Sequence, residues 1–258
     1  MVSISAPDGT TLETLYNSIM SSSQSLGARA SLRRASHPRL PFVLLVAVLL
    51  ASCNGDSSKP PANSRTPAAS SPAAPKSVPK IVAFGDSLTA GLGLPGTANY
   101  PALLQKKLAA DGFEYEVVNA GVSGDTTAGG LRRIDWTLEG NDVRIVILEL
   151  GANDILRGQP IDQMRKNLAA IIERAKARGA RVLLAGMEAP TSAGAEYRRQ
   201  IHEAFAGLAR EHQVTMIPFL LEGVAGIDLL NQADGIHPNA EGTKIVADTV
   251  YRSLKPLL

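Results

Sequence analysis

The sequence is poor in cysteine: its 258 residues include only one, Cys53. A single cysteine cannot form a disulfide within the chain, and it excludes any metal site that needs several thiolate ligands. Aromatic residues are also scarce, at 4% of the chain, whereas hydrophobic residues of all kinds make up 45%. The composition therefore predicts a globular domain with a mostly aliphatic core.

An excess of charge of either sign is also missing. Lysine and arginine number 26, against 24 aspartates and glutamates, which gives a formal net charge of +2. A domain that binds nucleic acid usually carries a clear basic excess, because it contacts a phosphate backbone. We therefore expect no nucleic-acid partner.

The apolar run at residues 40–50 is too short for an ordinary membrane-spanning helix, which needs about 20 residues. A basic segment that begins at Arg29 precedes the run, and small residues follow it. This order of basic, apolar and small residues is typical of a secretory signal. We therefore expect the protein to be exported.

The signal ends in the tetrapeptide LASC, residues 50–53, which resembles the lipobox of bacterial lipoproteins. In that motif the cysteine is lipidated and becomes the mature N-terminus. We expect residues 1–53 to be an N-terminal extension with a lipoprotein-type signal, and Cys53 to carry a lipid anchor in a membrane facing the periplasm or the cell exterior. The alternative is a plain secretory signal with an incidental cysteine, which would give a periplasmic or secreted protein.

Residues 54–79 are dense in proline, alanine and serine and contain almost no large apolar side chains. Such a segment cannot bury enough surface to offset the entropy lost on ordering, so we predict a disordered linker. Residues 80–258 then have the size of one domain, which we expect to be catalytic.

Five aliphatic runs within this domain predict β-strands, at residues 80–84, 115–120, 143–150, 180–186 and 214–218. Continuous runs of this kind are typical of strands that are covered on both faces. Amphipathic stretches predict helices at residues 101–112, 160–179, 195–212 and 238–258. The alternation predicts the α/β class, as a three-layer α/β/α sandwich around a mostly five-stranded parallel sheet.

Four polar loops contain glycine: three follow the predicted strands that end at residues 84, 120 and 150, and the fourth follows the region of residues 219–231. Their sequences are GDSLTAG, GVSGDTTAGG, GANDILRG and QADGIHPN. Ligands of parallel α/β sheets bind beyond the carboxyl ends of the strands, so we expect these loops to meet at one edge of the sheet.

The loops hold candidates for each role in acyl transfer by a serine, which needs a base, a carboxylate to orient it and donors for the oxyanion. Ser87 is a candidate nucleophile, although a serine between a strand and a helix is also a favoured N-cap. Asp234 and His237 are three residues apart, a spacing that lets a turn bring the carboxylate to the imidazole. The alternative for this pair is a polar cap ahead of the last helix.

Two further residues are candidates for binding an oxyanion. Asn153 could present its side-chain amide, or it could cap the helix that follows. Gly124 has no Cβ, so its backbone N–H could approach a ligand closely, although it could also be an ordinary turn glycine.

The four segments FGDSLTAG, NAGVSGDTTAGG, ELGANDILRG and DGIHPNAEG resemble, in this order and spacing, the motif blocks of the SGNH hydrolases. This family is also called the GDSL family of esterases and lipases, and residues 80–258 resemble its bacterial arylesterase, acyl-thioesterase and lysophospholipase branch. The resemblance implies Ser87 as nucleophile with Asp234 and His237 as triad partners. It also implies an oxyanion hole formed by the backbone N–H groups of Ser87 and Gly124 and by the side chain of Asn153.

The implied function is hydrolysis of a small-molecule ester or lipid, such as an aryl or acyl ester, an acyl thioester or a lysophospholipid, through an acyl-enzyme. A carbohydrate O-acetyl esterase with the same chemistry is an alternative. Neither reaction needs a metal or another cofactor. A different class also stays open, because Asp86, Asp125, Asp154 and Asp234 all fall in these loops and could serve a magnesium-dependent phosphohydrolase.

Overall fold

The computed structural model describes residues 77–140 and 142–258, and a sheet of parallel strands forms the centre of this part. The strands are β1 (Lys80–Gly85), β2 (Glu116–Gly121), β3 (Val143–Glu149), β4 (Arg181–Ala185) and β5 (Thr215–Ile217). Their order across the sheet is β2-β1-β3-β4-β5, and every neighbouring pair is parallel. All five predicted strands are present, each within two residues of the predicted ends.

Helices connect the strands. They are α1 (Ser87–Ala90), α2 (Tyr100–Ala110), α3 (Thr127–Thr137), α4 (Ala152–Leu156), α5 (Ile161–Ala177), α6 (Ala195–His212) and α7 (Ala240–Leu254). Short 3-10 helices lie at Thr191–Ala193, Asp228–Leu230 and Lys255–Leu257. The four predicted helices correspond to α2, α5, α6 and α7.

The helices form two layers around the sheet. Helices α3, α5 and α6 pack side by side, and α2 packs against α7. The crossovers from β1 to β2 and from β3 to β4 run toward opposite edges, so with the usual right-handed connection α2 and α5 lie on opposite faces. The predicted three-layer α/β/α sandwich is confirmed.

The expectation that every strand is covered on both faces is wrong for β2. Its side chains are half-buried or exposed, whereas β3 is buried except at Arg144. The reason is position, because β2 is an edge strand and pairs only with β1.

The chain crosses from one half of the sheet to the other between β2 and β3, passing over β1. Connections from the neighbouring ends of β1 and β3 therefore diverge, which opens a crevice at the carboxyl ends of these two strands. Ser87 lies two residues after the end of β1, and Asn153 lies four residues after the end of β3. The topology thus brings two of the predicted site residues to one crevice.

Helix α3 lies where the sequence predicted only a loop. Gly129 and Gly130 are within it, and glycine costs about 1 kcal/mol relative to alanine inside a helix. Both glycines are required by close contacts, since a Cβ on Gly130 would lie 2.3 Å from Cδ1 of Leu150. Tertiary packing therefore overrides the local preference at α3.

The predicted signal at residues 1–53, the lipidation site Cys53 and most of the predicted linker at residues 54–79 lie outside the described residues. These three assignments stay predictions. Among the residues that are described, no helix is both long and apolar enough to span a bilayer.

Candidate active site

Ser87 lies at the carboxyl end of β1, where the strand turns into the short helix α1. The N-cap of α1 is not Ser87 but Asp86, whose carboxylate accepts a hydrogen bond from the backbone N–H of Leu88 at 3.0 Å. The interpretation of Ser87 as a capping residue is therefore wrong. Its hydroxyl is free for another partner.

That partner is His237, which follows Ser87 by 150 positions in the sequence. Nε2 of the imidazole lies 2.8 Å from Oγ of Ser87, and Nδ1 lies 2.7 Å from Oδ2 of Asp234. The three side chains thus form one hydrogen-bonded row. When the Asp234 carboxylate accepts from Nδ1–H, Nε2 carries a lone pair that can accept the Ser87 proton.

The loop that carries Asp234 and His237 is built as a tight turn. Oδ1 of Asp234 accepts from the backbone N–H groups of Ile236 and His237, at 3.1 Å each. Gly235 has a φ of +73°, a backbone conformation that glycine adopts without steric cost. The helix after this loop is capped by Asn239, so the interpretation of Asp234 and His237 as a helix cap is wrong.

Gln232 fixes this loop relative to the segment after α1. Its backbone N–H donates to the carbonyl of His237 at 2.8 Å, and its side-chain amide donates to the carbonyls of Leu92 and Pro238. The imidazole is therefore held against the segment that carries Ser87 by backbone as well as side-chain contacts.

The Asp234 carboxylate is stabilised in its ionised form. Partial burial acts to raise its pKa, but the hydrogen bonds from the His237 ring and from the backbone N–H groups of His237 and Ile236 outweigh burial and hold the pKa below its usual value. Asp234 is therefore ionised at neutral pH and can stabilise a positive charge on the imidazole.

Asn153 lies in the first turn of α4, but its side chain does not cap that helix. The N-cap is Gly151 and makes no side-chain hydrogen bond. Instead the side-chain amide of Asn153 donates to Oδ2 of Asp86 at 3.0 Å. One amide hydrogen is thus fixed by the residue next to Ser87, and the second hydrogen is available for a ligand.

Gly124 lies in the loop between β2 and α3, with a φ of +78° that favours glycine. Its carbonyl accepts from Nη2 of Arg157 at 3.0 Å, and the same nitrogen lies 3.4 Å from Oδ1 of Asn153. Arg157 therefore links two of the predicted oxyanion donors. Within the described residues, the backbone N–H groups of Ser87 and Gly124 have no acceptor.

A buried polar cluster lies beneath the Ser87 turn. Glu149, at the end of β3, is fully buried, and its Oε2 accepts from the backbone N–H of Asp86 at 3.1 Å and from the hydroxyl of Thr89 at 2.7 Å. Its other oxygen, Oε1, has no hydrogen-bond partner among the described residues. The hydroxyl of Tyr100 extends the cluster through Thr89.

Burial raises the pKa of Glu149 well above its usual range, and the adjacent Asp86 carboxylate acts in the same direction. Burial also raises the pKa of Asp86, but the hydrogen bonds from Leu88 and Asn153 oppose that rise. Since an ionised carboxylate with one unpaired oxygen is costly in a buried site, Glu149 is the neutral member of the pair.

The four aspartates that suggested a magnesium site do not converge. Asp125 pairs with Arg133, and Asp154 accepts from the backbone N–H and the hydroxyl of Thr127. Asp86 and Asp234 are bound by Asn153 and His237, as described above. In the described part of the chain, no group of three or more His, Cys, Asp or Glu side chains is arranged to hold a metal ion.

Residues 83–245 match the profile of the GDSL-like lipase/acylhydrolase family. The chain belongs to this family. The family resemblance predicted from the four loop motifs is therefore confirmed.

The names of similar proteins include esterase and thioesterase. The chain is 42% identical to the esterase TesA of Pseudomonas aeruginosa over 178 residues, which cover 69% of this chain and 89% of that protein. It is 36% identical to thioesterase 1/protease 1/lysophospholipase L1 of Escherichia coli, over 69% of this chain and 84% of the relative. As a member of the GDSL family, the chain is a carboxylic ester hydrolase.

The fold agrees with that of a solved member of the family. The crystal structure of TesA is 42% identical in sequence, superposes with a TM-score of 0.68, and covers 69% of this chain and 99% of its own length.

The sequence interpretation missed several polar residues around the site of this GDSL-family chain. Glu149 is a charged residue that directly follows the apolar residues 145–148 of β3, and a charged residue is almost never buried without a partner. Arg157 follows Asn153 by four positions, a spacing at which helical side chains are neighbours. Arg133 gave no signal, because the helix that carries it was not predicted.

Proposed function

We propose that Ser87 is the nucleophile of this ester hydrolase, with His237 as its general base and Asp234 as the carboxylate that orients the imidazole. The observation that carries the proposal is the position of His237, with Nε2 2.8 Å from Oγ of Ser87 and Nδ1 2.7 Å from Asp234. An ionised Asp234 favours the tautomer in which Nε2 accepts the serine proton, and it stabilises the imidazolium that forms.

The oxyanion in this proposal is bound by the backbone N–H groups of Ser87 and Gly124 and by the side-chain amide of Asn153. Two observations support it: neither backbone N–H has an acceptor among the described residues, and one hydrogen of the amide is already bound to Asp86. Donors that are fixed before the reaction stabilise developing negative charge without a cost for reorienting them.

The reaction proceeds in two halves. Oγ of Ser87 attacks the ester carbonyl carbon while His237 takes the hydroxyl proton, and the carbonyl oxygen becomes the bound oxyanion. When the tetrahedral intermediate collapses, the bond to the leaving alcohol or thiol breaks and His237 protonates that group. A water then attacks the acyl-enzyme, with His237 as the base. This step releases the acid and restores the Ser87 hydroxyl.

We propose that the substrates are aryl or acyl esters, acyl thioesters or lysophospholipids. The name of the Escherichia coli relative, which includes thioesterase and lysophospholipase, supports this range. Turnover of a series that varies acyl length and leaving group tests the range, and acetylated sugars belong in the same series. The proposal would be overturned if only the acetylated sugars were hydrolysed.

The nucleophile is tested by labelling with a fluorophosphonate and mapping the modified peptide by mass spectrometry. We expect the label on Ser87, and a label on another serine would contradict the proposal. Ser87→Ala lowers kcat at least about 10⁴-fold, since loss of a triad nucleophile costs this much or more. Ser253→Ala, on α7, is the matched control and keeps wild-type activity.

We propose further that the protein is exported and that Cys53 carries a lipid anchor. The basic segment, the short apolar run and the tetrapeptide LASC support this proposal, and all of them lie outside the described residues. One acyl chain binds a membrane only weakly, so stable anchoring requires the two or three chains of a lipoprotein.

The intact mass of the mature protein tests the anchor. We expect a species that begins at Cys53 and carries the mass of its acyl chains, and Cys53→Ser leaves an unprocessed precursor. A mature species that begins at Cys53 without lipid, or one that begins at another residue, would overturn the proposal.

A further inference from the structure

We infer that Arg133 is a positioning residue that fixes the Gly124 loop against the Ser87 turn and so sets the distance between the two backbone donors of the oxyanion hole. The inference rests on the proposed function, because it assigns a role toward the N–H groups of Ser87 and Gly124. Arg133 itself does not line the site, and we assign it no contact with substrate.

The guanidinium of Arg133 lies beneath the loop that joins β2 to α3. It donates to three acceptors at 2.8 Å each: Nε to the carboxylate of Asp125, Nη1 to the carbonyl of Ala120 and Nη2 to the carbonyl of Gly85. Asp125 is the residue after Gly124, and Gly85 is two residues before Ser87. One rigid, planar group thus joins the two segments that carry the donors.

Burial distinguishes the ion pair of Arg133 and Asp125 from the other arginine ion pairs. The side chains of Arg133 and Asp125 are 18% and 12% exposed, whereas the other arginine ion pairs of the described residues all involve arginines at least 39% exposed. The Arg133 guanidinium also lies 3.9 Å from the ring centroid of the fully buried Phe84, where the ring face attracts a cation.

The surrounding sequence leaves room for this contact. Oδ1 of Asp125 lies so close to Gly129 that a Cβ on this glycine would be 1.6 Å from it. The absence of a side chain at Gly129 therefore lets the carboxylate lie against α3 and meet Arg133. The carbonyl of Gly85 also accepts from the backbone N–H of Val122 at 3.0 Å, which adds a second link between the strand end and the loop.

Lysine cannot replace the arginine at such a position. Its ammonium is a single point of charge on a flexible stem, so it can satisfy Asp125 but cannot hold three acceptors in one plane. We expect Arg133→Lys to fold, since the buried charge of Asp125 keeps a partner. The loop with Gly124 is then free to shift relative to Ser87.

The test compares kcat and KM of wild type, Arg133→Lys and Arg133→Ala on one p-nitrophenyl ester, with active sites counted by fluorophosphonate titration. We expect kcat per active site to fall about 10- to 100-fold in both variants, because loss of one oxyanion donor costs about 10²- to 10³-fold and a shift costs less. KM changes less than about threefold, since ground-state binding does not depend on the donors. Guanidinium ion at millimolar concentration restores part of kcat in Arg133→Ala.

The neighbouring Arg132 is exposed and provides a matched control. Arg132→Lys and Arg132→Ala keep wild-type kcat. The inference would be overturned if Arg133→Lys had wild-type kcat per active site, or if KM rose while kcat stayed constant. Should Arg133→Ala fail to fold, Asp125→Asn replaces it: this variant keeps the shape of the side chain and weakens the same link, so an unchanged kcat there would also overturn the inference.

Ser87→Ala, measured in the same series, separates this inference from the proposed function. If Ser87→Ala retained activity, the assignment of the nucleophile would fail whatever Arg133 did. If Ser87→Ala were inactive and Arg133→Lys were unchanged, only the role of Arg133 would fail.

Discussion

The side-chain amide of Asn153 donates to the carboxylate of Asp86 at 3.0 Å, across 67 positions of sequence. This bond joins the end of β3 to the end of β1 at the point where the sheet topology opens a crevice. Asp86 is itself fixed by the backbone N–H of Leu88, so the orientation of the amide follows from the strand ends and does not depend on substrate.

We expect Asn153→Ala to lower kcat by about 10²- to 10³-fold, because the substitution removes one donor to the oxyanion. KM stays within a few-fold of wild type, since the amide acts mainly in the transition state. Steady-state kinetics on a p-nitrophenyl ester measure both constants. Gln159→Ala, at an exposed position shortly after α4, is the control, and an unchanged kcat in Asn153→Ala would exclude the oxyanion role.

We expect Asp234→Asn to lower kcat by about 10⁴-fold while it leaves the fold intact. The amide keeps the shape of the carboxylate, but it loses the charge that fixes the imidazole tautomer and stabilises the imidazolium. Because the pKa of Asp234 is held below its usual value, the carboxylate stays ionised to a lower pH than a free aspartate would. A variant with more than about a tenth of wild-type kcat would contradict the assigned role.

The buried carboxyl of Glu149 predicts a pH dependence of stability. Its pKa is raised in the folded state above the value of 4.5 for a free glutamate, so unfolding releases a proton between these two values. The contribution of Glu149 to the free energy of unfolding is therefore largest below about pH 4.5, and it is lost as the pH rises toward the folded pKa, by at most about 1.4 kcal/mol per pH unit.

Glu149→Gln removes this proton release and keeps a neutral side chain of the same shape. We expect the free energy of unfolding of Glu149→Gln to increase relative to that of wild type as the pH rises from 5 toward 8. Urea denaturation at each pH measures this difference. Glu139→Gln, at an exposed position, is the control, and its free energy of unfolding changes with pH as that of wild type does. A constant difference between Glu149→Gln and wild type across this range would show that Glu149 is ionised in the folded protein.

Chelation distinguishes the serine mechanism from metal-dependent hydrolysis. We expect full ester turnover after prolonged dialysis against EDTA, because the proposed base, nucleophile and oxyanion donors are all groups of the chain. Loss of turnover that magnesium restores would contradict this mechanism and favour the phosphohydrolase alternative.

The positions of the strands and of four helices follow from local patterns. Continuous aliphatic runs predicted all five strands, although only β1, β3 and β4 have a neighbouring strand on each side. Helix α3 was missed, because Gly129 and Gly130 disfavour a helix locally, while the requirement for close contact with Asp125 and Leu150 acts only in the folded state.

The sequence by itself determined the candidates for the site, which lie in four polar loops that contain glycine: Ser87, Gly124, Asn153, Asp234 and His237. It also determined the family, because the four motifs occur in order. Only the tertiary structure excluded the capping alternatives, since each N-cap is assigned by a hydrogen bond that no spacing reveals, and the catalytic roles stay a proposal. Asp86 caps α1 and Asn239 caps α7, which leaves Ser87 and His237 free to meet.

The groups that support the site were decided by the tertiary structure alone. Glu149 and Arg133 act on residues 63 and 48 positions away, at Asp86 and Gly85. Contacts over such separations depend on which strand ends become neighbours, and that is set by the sheet order β2-β1-β3-β4-β5. A local pattern specifies whether a segment forms a strand, but the order of the strands depends on packing of the whole domain. The network that holds the Ser87 turn and the Gly124 loop depends on the same packing.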